Sequence, residues 1–277
     1  MNDWDEWVGR TGTSTALLDP AQANRMAVTL DRDPTFEADD ELPPGWHWLY
    51  FHELVRASGL GDDGHPALGV TMPPVPLPRR MWAAGTLTIR APLRLGAEAA
   101  RTSTIRAVTA KEGRTGPLYF VTVEHDVQVD GRPAVSESQT IVYREAPSTP
   151  IRVEGPSAPR DADFTDHWEL DSTALFRYSA LTFNGHRIHY DADYARSAEG
   201  YPNLVIHGPL LATLLMDSLV RRERRFTSFR YRARSPLFLP EPFTVNGRRD
   251  GDGHSVWAAS PDGRLAMEAE ATHRPSP

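Results

Sequence analysis

Two short sequence patterns occur twice in the chain, once in each half. Residues 90–95 (Arg-Ala-Pro-Leu-Arg-Leu) match residues 234–239 (Arg-Ser-Pro-Leu-Phe-Leu), and residues 130–135 (Asp-Gly-Arg-Pro-Ala-Val) match residues 262–267 (Asp-Gly-Arg-Leu-Ala-Met). In both halves the second pattern follows the first by a comparable distance and is flanked by alternating, strand-like sequence. Because self-similar sequence indicates a repeated structural unit, the chain is predicted to fold as two related halves.

A proline-rich segment separates the halves. Residues 145–159 contain prolines that cannot donate a hydrogen bond to a strand ladder, which is typical of a linker. We therefore predict a first unit over residues 1–145, a linker over residues 146–164 and a second unit over residues 165–277.

Each unit is predicted to contain one helix followed by antiparallel strands. Residues 21–30, which follow Asp19 and Pro20, and residues 209–224 carry apolar side chains at helical spacing. The second helix is apolar around most of its circumference, so it is predicted to be buried on most sides. An antiparallel sheet can bury such a helix by curling around it, which gives an α+β fold class. Strands are predicted at residues 86–89, 102–108, 119–129, 134–143 and within 228–273.

The composition excludes several classes of function. The formal net charge of −7, with no basic stripe, argues against nucleic acid as a partner. The absence of cysteine excludes disulfides, thiolate zinc sites and a cysteine nucleophile. The longest apolar run, residues 204–220, is interrupted by polar residues and is too short to span a bilayer. The acidic N-terminus has no apolar stretch. We therefore expect no signal peptide, no membrane partner and a cytoplasmic location.

Acid and base side chains are concentrated in one stretch of the second half. Three histidines, an amide and a carboxylate occur between Asn184 and Asp191 and at His207, which precedes Gly208 at the start of the apolar helix. Histidine titrates near neutral pH, and the unpaired N–H groups at a helix N-terminus can stabilise a developing oxyanion. The stretch is interpreted as an active site. Each histidine taken singly also fits a structural role, either at a strand-to-loop junction or as a helix cap.

Residues 184–191, Asn-Gly-His-Arg-Ile-His-Tyr-Asp, and the later pair His207-Gly208 resemble a known signature. It is the Asp-x-Asn-Pro-Ile/Leu-His-x-Asp motif of the MaoC-like (R)-specific enoyl-CoA hydratases. Residues 176–191, and residues 77–85 of the first half, look most similar to one subfamily, the double-hot-dog type 2 hydroxyacyl-thioester dehydratases and mesaconyl-C4-CoA hydratases. The resemblance covers most of residues 10–273. It implies a double hot-dog fold, with two antiparallel sheets each wrapped around a central helix.

The resemblance also implies a reaction, the reversible addition of water across the C2=C3 bond of an acyl thioester of CoA or an acyl carrier. His189 matches the histidine that activates the water, and Gly208 matches the donor to the thioester carbonyl, with a second donor open to Leu210. Asn184 takes the place of the usual catalytic aspartate. Because an amide cannot accept a proton near neutral pH, either His189 is the only base or a carboxylate such as Asp191 contributes.

The remaining candidates are assigned to substrate binding. His186 is expected to hold the water or the acyl group. Arg79 and Arg80 are candidates for the CoA phosphates because a guanidinium matches phosphate oxygens, although a solvated or internal ion pair is the favoured alternative. For Tyr190 and Asp191, a role in ordering the loop and a role in catalysis are equally expected. The full candidate set for substrate binding is His186, Tyr190, Asp191, His207, Leu210, Arg79 and Arg80.

Two other functions stay open. A metal site could use His186, His189, Asp191 and His207, because imidazole and carboxylate ligands suit zinc or iron. A non-catalytic acyl-thioester binding protein is the other alternative, since Asn184 replaces an aspartate. No bound cofactor is expected. The first half has no counterpart of the histidine cluster and is expected to form a wall of the substrate pocket without doing chemistry. The sequence does not identify the acyl chain, and a homodimer is left open.

Overall fold

Ten strands form one antiparallel sheet in the computed structural model, which describes residues 4–113, 116–146, 151 and 153–273. The strands are β1 (Thr11–Leu17), β2 (Arg79–Ile89), β3 (Glu98–Gly113), β4 (Gly116–Val129), β5 (Arg132–Arg144), β6 (Phe164–Trp168), β7 (Ser228–Ala233), β8 (Phe243–Asp250), β9 (Gly253–Ala259) and β10 (Leu265–Thr272). They pair in the order β1-β3-β4-β5-β2-β7-β10-β9-β8-β6.

The two halves of the sheet repeat one strand order and meet where β2 pairs with β7. The repeated sequence patterns occupy equivalent places: one directly follows β2 or β7, and the other contains the turn before β5 or β10. Ile89 pairs with Val135, and the matching residues Ala233 and Met267 also pair. The strand register therefore repeats with the sequence. The two predicted sheets are joined edge to edge into one.

The helix α4 (Gly208–Val220) packs against β2, β7, β8, β9 and β10. All of residues 210–219 are buried, as the apolar circumference predicts. The predicted end at residue 224 is too late, because Glu223 has a positive φ of 56°, which an α-helix does not accommodate. Among the described residues no helix is long and apolar enough to cross a membrane.

The first half has no equivalent of α4. α1 (Pro20–Thr29) follows β1 as α2 (Ser172–Thr182) follows β6, and each begins at an aspartate, Asp19 or Asp171, whose side chain accepts a backbone N–H. α1 packs against α2 and a 3₁₀ turn, Trp46–Leu49. Residues 30–78, all of them described, contain 3₁₀ turns but no α-helix. The expected central helix is therefore present in the second half alone, and the helix predicted at residues 21–30 is the counterpart of α2.

Replacing Leu214 by Ala is expected to lower the free energy of unfolding by about 2–5 kcal/mol, because the side chain is fully buried and its loss leaves a cavity. Val220, 38% exposed at the end of the same helix, is the matched control, and its replacement by Ala should change the value by less than about 1 kcal/mol. Urea denaturation measures both variants. Equal losses would contradict the placement of α4 at the centre of the core.

Candidate active site

The segment between α2 and α3 (Ala192–Ser197) is held by its own hydrogen bonds. α2 ends at Phe183, whose φ of 53° turns the chain out of the helix. Asn184 Oδ1 then accepts the backbone N–H of His186 at 3.0 Å. At the other end, Asp191 Oδ1 accepts the N–H of Tyr194 at 2.9 Å and caps α3. Asn and Asp suit such turns and caps, so the segment presents its histidines in a fixed arrangement.

His189 is oriented as a proton acceptor. The side chain is buried, and its Nδ1 lies 2.7 Å from the carbonyl oxygen of Val205. Because a carbonyl oxygen can only accept, Nδ1 carries the proton and Nε2 keeps its lone pair. Burial lowers the pKa of His189 to about 4, against the opposing effect of the Val205 hydrogen bond. The ring is therefore neutral near pH 7, and Nε2 can accept a proton from water.

His189 and the N-terminus of α4 lie side by side. The ring of His207 stacks on His189, with centroids 3.6 Å apart and an interplanar angle of 20°. His207 Nε2 lies 2.8 Å from Ser179 Oγ, which ties the ring to α2. Gly208 follows as the first residue of α4, where Leu211 N–H bonds the His207 carbonyl at 3.0 Å. The N–H of Gly208 has no acceptor within the helix, so it is a donor with partial positive charge.

Gly208 lies against the first half of the molecule. A Cβ at this position would be 3.0 Å from Cε3 of Trp82 on β2. Trp82 in turn stacks on Tyr231 of β7, with ring centroids 4.2 Å apart. Leu210, the candidate second donor, lies in the first turn of α4 with its side chain buried in the core. The helix N-terminus therefore meets the junction of the two half-sheets.

A fourth histidine, His65, joins the cluster from the first half, and the sequence analysis did not select it. Its ring centroid lies 4.7 Å from that of His186, which lies 5.5 Å from that of His189. Gly64 has a φ of 85°, and a Cβ there would collide with the carbonyl oxygen of Gly185. Glycines in residues 61–64 indicate a turn, but only the tertiary structure brings this turn to the site.

The cluster is electrically neutral and, among the described residues, holds two unpartnered nitrogens, Nε2 of His186 and Nδ1 of His207. Burial is the largest cause that lowers the pKa of His65, His186 and His207 well below the usual value. Nε2 of His186 is buried and has no hydrogen-bond partner among the described residues. Because buried polar atoms are generally paired, this nitrogen is a candidate for binding water.

Tyr190 and Asp191 order the loop. The Tyr190 hydroxyl donates to the Gly185 carbonyl at 2.9 Å, and its ring is exposed. Asp191 pairs with Arg187 at 2.7 Å while its other oxygen caps α3. The N–H of Tyr194 and then the Arg187 guanidinium lower the pKa of Asp191. With both oxygens engaged, this carboxylate is poorly placed to serve as a second base.

Arg79 and Arg80 form the internal ion pairs that the sequence analysis gave as the alternative. Arg79 is buried, pairs with Glu199 and lies over the Tyr201 ring, 5.0 Å from its centroid. Arg80 pairs with Asp63 at 3.0 Å, and both side chains are largely buried. Neither guanidinium is presented to solvent as a ready phosphate ligand.

The histidines are not arranged as a metal site. Within the described part of the chain, no group of three or more His, Cys, Asp or Glu residues could hold a metal ion. His189 Nδ1 is already bonded to the Val205 carbonyl, and His207 Nε2 to Ser179 Oγ. The Asp191 carboxylate is paired with Arg187. The arrangement favours proton transfer over metal ligation.

Known proteins match the chain over most of its length. The family described as hydroxyacyl-thioester dehydratase type 2 matches residues 45–239. The mesaconyl-C(4)-CoA hydratase of Chloroflexus aurantiacus is 44% identical over 274 residues, 96% of each chain. The mitochondrial hydroxyacyl-thioester dehydratase type 2 of Schizosaccharomyces pombe is 29% identical over 251 residues, 79% of this chain and 80% of that one. A Mycobacterium tuberculosis structure described as a double hotdog fold has a TM-score of 0.61 at 11% identity, covering 95% of this chain and 94% of that one. This likeness concerns the fold, and it confirms the predicted double hot dog.

Acidification is expected to destabilise the protein through its buried histidines. A histidine in the unfolded chain takes up a proton near pH 6.5, whereas burial lowers the pKa of His189 to about 4. Between these values the unfolded state binds more protons. The free energy of unfolding should therefore fall as the pH drops, by up to about 1.4 kcal/mol per pH unit for each such histidine.

Urea denaturation at a series of pH values measures this slope. His189→Gln should reduce the slope of the unfolding free energy against pH by up to about 1.4 kcal/mol per pH unit, the contribution of one proton. Val220→Ala, which removes no titratable group, should leave it unchanged. If His189→Gln kept the wild-type slope, His189 would not be a buried neutral imidazole.

Proposed function

Because the chain belongs to the hydroxyacyl-thioester dehydratase type 2 family, we propose that it adds water reversibly to a short, branched dicarboxylic enoyl-CoA of the mesaconyl-C4-CoA class. The chain is a hydro-lyase. Its 44% identity to a protein named mesaconyl-C(4)-CoA hydratase supports the acyl class. The observation that carries the proposal is the neutral imidazole of His189 stacked on His207, the residue directly before Gly208 at the N-terminus of α4.

Hydration needs a base for the water and a donor for the carbonyl oxygen. His189 Nε2 takes a proton from the water while the water oxygen bonds to C3. The C2=C3 electrons move toward C1, and the thioester carbonyl becomes an enolate whose charge the N–H of Gly208 stabilises. The protonated His189 then returns its proton to C2. One water is added in total, one imidazole serves as base and then acid, and dehydration reverses the steps.

Because Asn184 cannot act as a base, we assign that role to His189. The amide oxygen of Asn184 is occupied by the N–H of His186, and its amide nitrogen can donate but cannot accept a proton. We assign this nitrogen and Nε2 of His186 to holding the water. His207 stacks on one face of the His189 ring and supports it. The residues proposed to touch the reactants are therefore Asn184, His186, His189 and Gly208.

The proposed division of labour follows the two halves. Residues 165–277 supply the base and the oxyanion donor. Residues 1–145 supply no acid or base to the reaction and shape the pocket, with Trp82 and His65 at its border. The absence of cysteine is consistent with the cytoplasmic location that we propose.

Replacing His189 by Ala is expected to lower kcat/KM for mesaconyl-C4-CoA by about 10²–10⁴-fold, because the general base is lost. Affinity for the thioester should change by less than about fivefold, since the imidazole contacts the water rather than the CoA. The loss of enoyl absorbance measures turnover, and calorimetric titration with a saturated thioester measures affinity.

The matched control is Tyr190→Phe, which changes the same loop but removes only the hydroxyl that bonds Gly185. It should lower kcat/KM by less than about tenfold. A wild-type protein that bound thioesters but hydrated none of a panel of enoyl-CoAs would contradict the proposed activity. Undiminished turnover by His189→Ala would remove this residue from the mechanism.

A further inference from the structure

Three aromatic side chains form a series of ring contacts where the half-sheets meet, and one of them, Trp82, lies beside Gly208. The ring of Trp82 approaches Gly208 and stacks on Tyr231, with centroids 4.2 Å apart. Trp48 meets Trp82 edge-on, at a centroid distance of 5.7 Å and an interplanar angle of 85°. Trp48 comes from the turn Trp46–Leu49, in the segment that stands in place of a central helix. We call Trp48, Trp82 and Tyr231 the aromatic wall.

Trp48 is held in place by a buried carboxylate. Its Nε1 donates to the two oxygens of Glu137 at 3.1 and 3.0 Å. Glu137 also accepts from His47 at 3.1 Å and from Gln139 at 2.8 Å. Burial alone raises the pKa of Glu137, but the hydrogen bond and charge of His47 outweigh it and hold the pKa at about 2. Hydrogen bonds to an ionised carboxylate are stronger than neutral ones, so the indole is firmly anchored.

A cavity of about 1150 Å³, open to solvent, lies further along β2 than the aromatic wall. A bulge after Trp82 lets Trp82, Gly85, Leu87 and Ile89 share the inner face of β2. Trp82 contacts Gly208, and Gly85 contacts Tyr231. Leu87 and Ile89 line the cavity. Neither Gly208 nor His189 lines it.

Trp48 lies between Trp82 and the side of the interior that faces the cavity. Glu137, which holds its indole, pairs with Leu87 across the sheet, and the preceding residue His47 lines the cavity. At roughly 3.3 Å per strand residue, the cavity floor begins on the order of 15 Å from Trp82. The apolar floor consists of Leu42, Leu87, Ile89, Leu93, Val135 and Phe226.

We propose that Trp48 sets the limit on acyl-chain length by closing the active site toward this cavity. The inference rests on the proposed function. A short branched acyl group bound at Gly208 ends before the wall, whereas a long chain meets the anchored indole. The cavity has an apolar floor that suits an acyl tail, together with charged side chains such as Arg32, Glu41 and Asp217. Removing the indole is expected to open a path from the active site to this floor.

The test compares the wild type with Trp48→Ala and Trp48→Phe. Each protein is given mesaconyl-C4-CoA and trans-2-dodecenoyl-CoA, and the loss of enoyl absorbance is followed. Trp48→Ala should raise the ratio of long-chain to short-chain kcat/KM by at least about tenfold, since removing a steric block admits the tail. Trp48→Phe keeps a ring but loses the Nε1 donor, so its ratio should stay within about threefold of the wild type.

The possible failures are distinguishable. A wild type that hydrates neither substrate overturns the proposed function, and the inference with it. A wild type that hydrates both equally well overturns the chain-length limit alone, as does Trp48→Ala with an unchanged ratio. If Trp48→Ala does not fold, Trp48→Leu replaces it. Inhibition of the wild type needs no substitution: butyryl-CoA should inhibit at least about tenfold more strongly than dodecanoyl-CoA, and equal inhibition contradicts the inference.

Discussion

The hydrogen bond from His189 Nδ1 to the Val205 carbonyl is the interaction on which the candidate site depends. It selects the tautomer in which Nε2 can accept a proton, and it orients the ring that stacks on His207. Val205 is itself held by two backbone contacts. Its N–H donates to the Ile188 carbonyl at 2.9 Å, and it forms an isolated β-bridge with Phe238, which follows β7. The imidazole, the segment before α4 and the helix N-terminus are therefore positioned together.

The two halves have diverged around one shared sheet. The second half keeps the central helix, whose N-terminus supplies the candidate oxyanion donor. In the first half the Trp46–Leu49 turn stands where a central helix would have stood, and a cavity beside it is lined by residues of both halves. The proposed chain-length limit, Trp48, lies in this turn. The halves also meet at the segment between α2 and α3, since Arg187 N–H donates to the Asp63 carbonyl at 2.9 Å and Gly64 packs against Gly185.

The sequence was most informative where the signal is local. The family resemblance and the hydro-lyase class are confirmed, and α4 is buried as its apolar circumference predicts. The strands β1 and β6 were missed because they are short edge strands with partly exposed, largely polar sequences. His65, Trp48 and Glu137 were missed for another reason: their partners lie far away in the sequence, and no local pattern marks such contacts. The same holds for α1, whose spacing predicts a helix but not its place in the fold.

A crystal structure with a bound 3-hydroxyacyl-CoA product is the most direct test of the central claim. The account predicts that the thioester carbonyl oxygen accepts a hydrogen bond from Gly208 N–H and that the C3 hydroxyl lies within hydrogen-bond distance of His189 Nε2. His189 Nδ1 should remain bonded to the Val205 carbonyl. A product whose reacting carbons lie away from His189, or whose carbonyl is held by another group, would contradict the account.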